Sequence, residues 1–85
     1  MKLSLVQNRA IQARIAATIG AETFDRLFGG IEFDEVDGDI LFVYAKDEES
    51  AAEIEDTFAF HISLLATDIL LRDINIVMVL PKVLQ

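Results

Sequence analysis

An α+β fold in the order α-α-β-β-α-β is what this sequence predicts, and three observations carry that prediction. Between Ser50 and Leu71 the residues Ile54, Phe58, Ile62, Leu65 and Ile69 recur at spacings of four, four, three and four, which is one face of a long helix. The segments 40–45 and 74–80 are apolar runs of strand length. Asp37-Gly38 precedes the first of these runs and is a dipeptide suited to joining two antiparallel strands.

Taken in order, the first helix spans Leu5 to Ile19, where Ile11, Ile15 and Ile19 repeat at fours and Val6, Ala10, Ala13 and Ala17 form a neighbouring stripe of mostly small residues. Such thin side chains admit a close helix neighbour, and the expectation is packing within the same chain. Gly20 ends this helix. A short second helix, Glu22 to Phe28, follows from Phe24, Leu27 and Phe28 at i, i+3, i+4, with Glu22 at the positive end of the helix dipole and Gly29-Gly30 as its stop. Ile31 and Phe33 alternate with Glu32 as the first strand.

The second strand, Ile40 to Ala45, is apolar throughout, so Leu41, Val43 and Ala45 point one way while Ile40, Phe42 and Tyr44 point the other. A strand with water on one face would alternate, and this one does not. Asp47 is a candidate N-cap for the long helix, with Ser50-x-x-Glu53 as an alternative capping box one turn later. Phe60, Leu64 and Leu71 make a second apolar ridge off its main stripe, expected to lie under the first helix. The last strand runs from Ile74 to Leu80 and Pro81 terminates it. The expected sum is one domain, 1–85, with a three-stranded sheet packed mainly on one side by helices.

Composition narrows the function. The chain has 7 basic against 15 acidic residues and a formal charge of -8, which opposes binding that depends on neutralising phosphates, whether of nucleic acid or of an anionic membrane. No apolar run reaches the roughly 18 residues of a membrane span, and the amino-terminal stretch is too polar for a signal peptide, so a cytoplasmic protein is expected. Without cysteine there is no disulfide, thiolate metal site or thiol nucleophile. The acidic tract 34–39 does not fit a calcium loop: with Gly38 as its glycine, Phe33 and Tyr44 would occupy the first and last ligand positions. His61 stands alone, and the three serines sit in no nucleophile motif, so neither catalysis nor a metal or other cofactor is expected. Hydrophobic residues make up 53% and mean hydropathy is +0.40, high for so small a domain, which predicts apolar surface covered by another chain.

The element order, together with FDRLF after the first helix and DGDILFVYA in the second strand, resembles the amino-terminal domain of the bacterial replication initiator DnaA. That family has a KH-like fold with a tryptophan in its first helix, an F-x-x-W-F second helix, a D-G-x-L-x-L strand and a P-N-x-F lead-in to the third helix. Phe24 and Phe28 match the anchors of the second helix, Leu27 stands at the tryptophan position, and Leu41, Val43 and Ala45 match the inward residues of the strand. Lys46-Asp47 replaces Pro-Asn, and Glu49 stands where the family's phenylalanine meets the replicative helicase. Thr23, beside Glu22, takes the place of a second residue implicated in that contact. The first-helix tryptophan used in self-association is missing.

The resemblance implies a non-catalytic protein-interaction module of replication initiation, with self-association and a helicase or initiation regulator as partners. Its contact residues would be Glu22, Thr23, Asp47 and Glu49, together with the outward Phe42 and Tyr44 of the sheet. The alternative is a dimeric structural or regulatory protein that closes its outer sheet face on a second copy and needs no foreign partner.

Overall fold

The computed structural model describes residues 1–82 and contains the expected elements in the expected order: α1 Leu5–Ile19, α2 Ala21–Phe28, β1 Glu32–Asp37, β2 Ile40–Ala45, α3 Glu48–Leu70 and β3 Ile76–Pro81. The sheet is mixed, in the order β1-β2-β3, with β1 and β2 antiparallel and β2 and β3 parallel. It is an α+β fold whose helices pack on the sheet.

Helix α1 starts at a capping box that spacing arguments passed over. The Ser4 hydroxyl accepts from the Gln7 amide at 3.1 Å while the Gln7 side chain accepts from the Ser4 amide at 2.8 Å, satisfying two donors that a helix start leaves open. Ile11 and Ile15 are fully buried. The small-residue stripe is not covered as expected: Val6, Ala13 and Ala17 are exposed, because α1 meets α3 through its isoleucine face. Gly20, at φ +92°, serves as both the end of α1 and the N-cap of α2, a backbone angle that L side chains rarely adopt. Within α2, Phe24 stacks on Phe28 at 5.4 Å, and Phe28 meets Phe58 of α3 edge-on at 5.4 Å.

Strand β1 is longer than the alternation of Ile31 and Phe33 suggested, and it contains a bulge. Phe33 pairs with Val43 and Glu35 with Phe42, leaving Asp34 as the extra residue. The bulge resolves a conflict in the sequence: Phe33 and Val36, three apart, would face opposite sides of a regular strand, yet both are buried in the core. Asn8 of α1 secures the start of this strand by accepting from the Phe33 amide at 3.0 Å. Outside Asp34, residues 1–3 run beside β1. The Leu3 amide donates to the Asp34 carbonyl at 2.9 Å, the Val36 amide to the Met1 carbonyl at 2.8 Å, and Lys2 pairs with the Asp34 carboxylate at 2.9 Å.

The β1–β2 hairpin has a two-residue loop, Gly38-Asp39, closed by the Asp37–Ile40 pair, so the glycine takes the first loop position rather than the second. Gly38 has φ +66° and Asp39 does not share its sign, the pattern of a type II′ turn. Leu41, Val43 and Ala45 of β2 are wholly buried against the helices, as expected.

Helix α3 begins at Asp47, whose carboxylate accepts from the Ser50 amide at 2.8 Å; Ser50 is buried in the first turn and is not itself a cap. Ile54, Ile62 and Leu65 are buried, and Phe58 and Ile69 lie at the margin of the same core, completing the predicted stripe. The helix ends at Leu71, in the left-handed conformation at φ 57° and ψ 41°. The hydroxyl of Thr67 accepts from the Ile74 amide at 3.0 Å and turns the chain toward β3. Strand pairing begins at Ile76, later than the apolar run suggested, because the Asn75 and Ile76 amides both bond the Asp39 carbonyl at the start of the register.

The outer edge of β3 has few free donors. Ile76 and Lys82 direct their amides toward the β2 side, to the Asp39 and Ala45 carbonyls, so by strand alternation the backbone nitrogens of Val77, Val79 and Pro81 are turned to the open edge. Pro81 has no N–H, and the Val79 amide donates to the Glu55 carboxylate at 3.3 Å.

Leu71 is 87% exposed, so its side chain contributes little packing while its backbone carries the steric cost of the left-handed region, about 1 kcal/mol or more. Leu71→Gly is therefore expected to stabilise the fold by about 0.5–1 kcal/mol, a rise of a few degrees in Tm in calorimetry. A lower Tm would show that Leu71 makes a contribution its exposure hides.

Candidate interaction surfaces

Because all three helices pack on one side, the opposite face of the sheet has no layer over it among the described residues. Side chains directly opposite in the parallel pair share a face, and the register sets Ile40 beside Ile76, Phe42 beside Met78 and Tyr44 beside Leu80. These six apolar residues form one continuous outer patch. The three on β2 are half-buried by their neighbours, and Ile76 is 47% exposed. On the other flank of β2 the outward partners are Glu32 beside Tyr44, Glu35 beside Phe42 and Asp37 beside Ile40, an acidic border along the apolar patch. Lys2 and Lys82 moderate it: Lys2 is held in its charged form above its ordinary pKa, chiefly by its hydrogen bond to Asp34, and Lys82 lies 3.7 Å from Glu32.

Phe42 and Tyr44 thus lie where strand alternation put them. Ile76 and Met78 were less legible, since their place beside β2 depends on the parallel register; the signal was the run INIVMVL, apolar at both parities after Asn75.

Of the other expected contact residues, Asp47 and Glu49 lie where the end of α2 meets the start of α3, while Glu22 and Thr23 lie in the first turn of α2. The Lys46 ammonium donates to the Arg26 carbonyl, tying the lead-in of α3 to the last turn of α2. Between them lies a depression of about 230 Å³ whose walls include Arg26, Leu27, Asp47 and Glu49. Thr23 is one turn ahead of Arg26 and Leu27 on the same face of α2, and Glu22 is exposed at the first turn. The six residues therefore divide into two surfaces on opposite sides of the sheet, Phe42 and Tyr44 on the outer face and Glu22, Thr23, Asp47 and Glu49 on the helical side.

A third apolar surface departs from expectation. Phe60 is 76% exposed and Leu64 54%, and with Leu71 they lie open: α1 reaches only the margin of this flank of α3, where Arg14 meets Asp68 at 3.4 Å. His61 is half-buried, and its Nε2 is enclosed without a hydrogen-bond partner. Among the described residues no group of three histidine or carboxylate side chains converges as a metal-ligand set, and no helix is long and apolar enough to cross a membrane. No protein-family model matches the chain, and no curated protein matches it at a significant level.

The hydrogen bond from the Ser50 amide, followed by the Ser50 side chain and the charge of Lys46, holds the Asp47 carboxyl below its ordinary value of 3.8. A depressed pKa stabilises the fold above the unfolded value, and that stabilisation is lost as pH falls through the folded one. Asp47→Asn keeps an acceptor but no charge, so the Tm gap between the native chain and this variant is expected to stay constant from neutral pH down to about 5 and to shrink below about 4. Asp47→Ala, without an acceptor, should be the least stable of the three at neutral pH. A gap that does not change with pH would remove the charge from the cap's contribution.

Proposed function

We propose that this chain is a non-catalytic protein-interaction module of the kind found at the amino terminus of the replication initiator DnaA, working in the cytoplasm through contacts on two surfaces. The observation that carries the reading is the outer sheet face, with six apolar side chains in register and no layer of the described residues above them. A single copy leaves that area in water. A face of this kind closes on a second copy or on another protein, and self-association through Phe42 and Tyr44 is the simplest form of it.

Support for the link to replication comes from the order of elements and from the second surface. Asp47 and Glu49 border the depression at the α2–α3 junction, with Thr23 on α2, and Glu49 and Thr23 stand at the positions that the family resemblance assigns to helicase contact. The side chains there differ from the family's aromatic ones. The Glu49 carboxylate would select a partner bearing a cation where the family's phenylalanine selects an apolar one.

The test of the outer face is sedimentation velocity of the native chain and of Phe42→Ser. The native chain is expected to show a concentration-dependent rise in apparent mass at about 10–100 μM, and Phe42→Ser to reduce it at least about tenfold in association constant with the chain still folded. A native chain that stays monomeric over that range and binds neither a replicative helicase nor an initiation regulator in a pull-down would overturn the proposal. Association that persists unchanged in Phe42→Ser would move the interface off the sheet.

A further inference from the structure

The outward ridge of α3, which carries Phe60 and Leu64, is separate from the outer sheet face. Glu53, Phe60 and Leu64 lie within about 40° of one another around the helix at 100° per residue, and Asp56 adjoins them. Along this ridge the amino-terminal half is acidic and the middle is apolar. Glu48, Glu49, Glu53 and Asp56 form no ion pair among the described residues, and α3 itself contains no lysine or arginine. Phe60, the most exposed aromatic residue, sits one turn beyond Asp56.

We infer that this ridge docks a basic amphipathic helix of another protein, with Phe60 and Leu64 meeting its apolar residues and Glu53 and Asp56 pairing with lysines or arginines one to two turns away. Two arguments choose this occupant over a second copy. Phe60 and Leu64 together expose on the order of 200 Å², about a quarter of the roughly 800 Å² per partner that a stable interface buries, so the contact has to extend along the acidic half as well. A second α3 brings only more carboxylates to that half, whereas a cationic helix lying alongside can use the full length of 23 residues, about 34 Å. The net charge of -8 steers such a partner in from a distance.

The probe is a fluorescein-labelled helical peptide of about five turns, with leucines at one end of a single face and lysines at the other, and a matched peptide carrying glutamate in place of lysine. In fluorescence anisotropy with the full chain, the lysine peptide is expected to bind and the glutamate peptide to bind at least about tenfold more weakly, with the lysine peptide losing affinity as salt rises. Phe60→Ser should weaken binding about tenfold at any salt concentration, and Glu53→Gln with Asp56→Asn should weaken it mainly at low salt. Phe42→Ser should leave it unchanged, which separates this surface from the outer sheet face. Amide shift changes on adding the peptide should map to residues 53–68, a readout that holds even if a variant misfolds. Binding unaffected by Phe60→Ser, equal binding of both peptides, shift changes centred on the sheet, or self-association of the native chain that depends on Phe60 would each overturn the inference.

Discussion

Two parallel neighbouring strands cannot be joined by a tight turn, and that constraint shapes the rest of this molecule. After β2 ends at Ala45 the chain has to return the length of the sheet before β3 can pair in register from Ile76, and α3 makes the return. It lies against the inner face of β2 and β3, where Leu41, Val43, Ala45, Val77 and Val79 are buried, and meets α1 and α2 along its flank through Ile11, Ile15, Phe28 and Phe58. With every helix drawn to that side, the opposite sheet face has no cover among the described residues. The broad apolar face of α3 and the bare outer sheet have the same origin.

Much of this could be read from residue order, where the determinants are local. The bounds of α1, the cap at Asp47 and the division of β2 into inward and outward residues depend on neighbours within a few positions; periodicity placed the first and last, and of the two cap candidates for α3 the structure has Asp47. The bulge at Asp34 is different, because it exists only in relation to the partner strand; its trace in the sequence was the three-residue step from Phe33 to Val36. The fate of Phe60 and Leu64 was less legible still. Whether a second ridge on a helix is covered depends on the angle at which its neighbour crosses, and α1 meets α3 on the side of Arg14 and Asp68. Of the candidate contact residues, Phe42 and Tyr44 followed from strand alternation, whereas Glu22, Thr23, Asp47 and Glu49 came from family resemblance, and the fold puts the two groups on different sides.

Charge and hydrophobicity are segregated in the same manner on both exposed apolar areas. Carboxylates of β1 border the outer sheet patch, and carboxylates of α3 precede Phe60 and Leu64. The acids keep a chain of high mean hydropathy in solution while leaving the apolar centres open. They also set a preference, since a partner that carries cations at the right margin gains from both terms and an acidic one gains from neither.

The two borders of the sheet carry a further implication. On one side residues 1–3 occupy the backbone of β1, with Lys2 outermost; on the other, Pro81 lacks a donor and Glu55 has taken the Val79 amide. Strand-by-strand addition, the route by which a greasy sheet grows into fibrils, is obstructed at both ends. What stays apolar and open on the sheet is its flat outer face, so any contact the sheet makes is face to face and is used up by one partner.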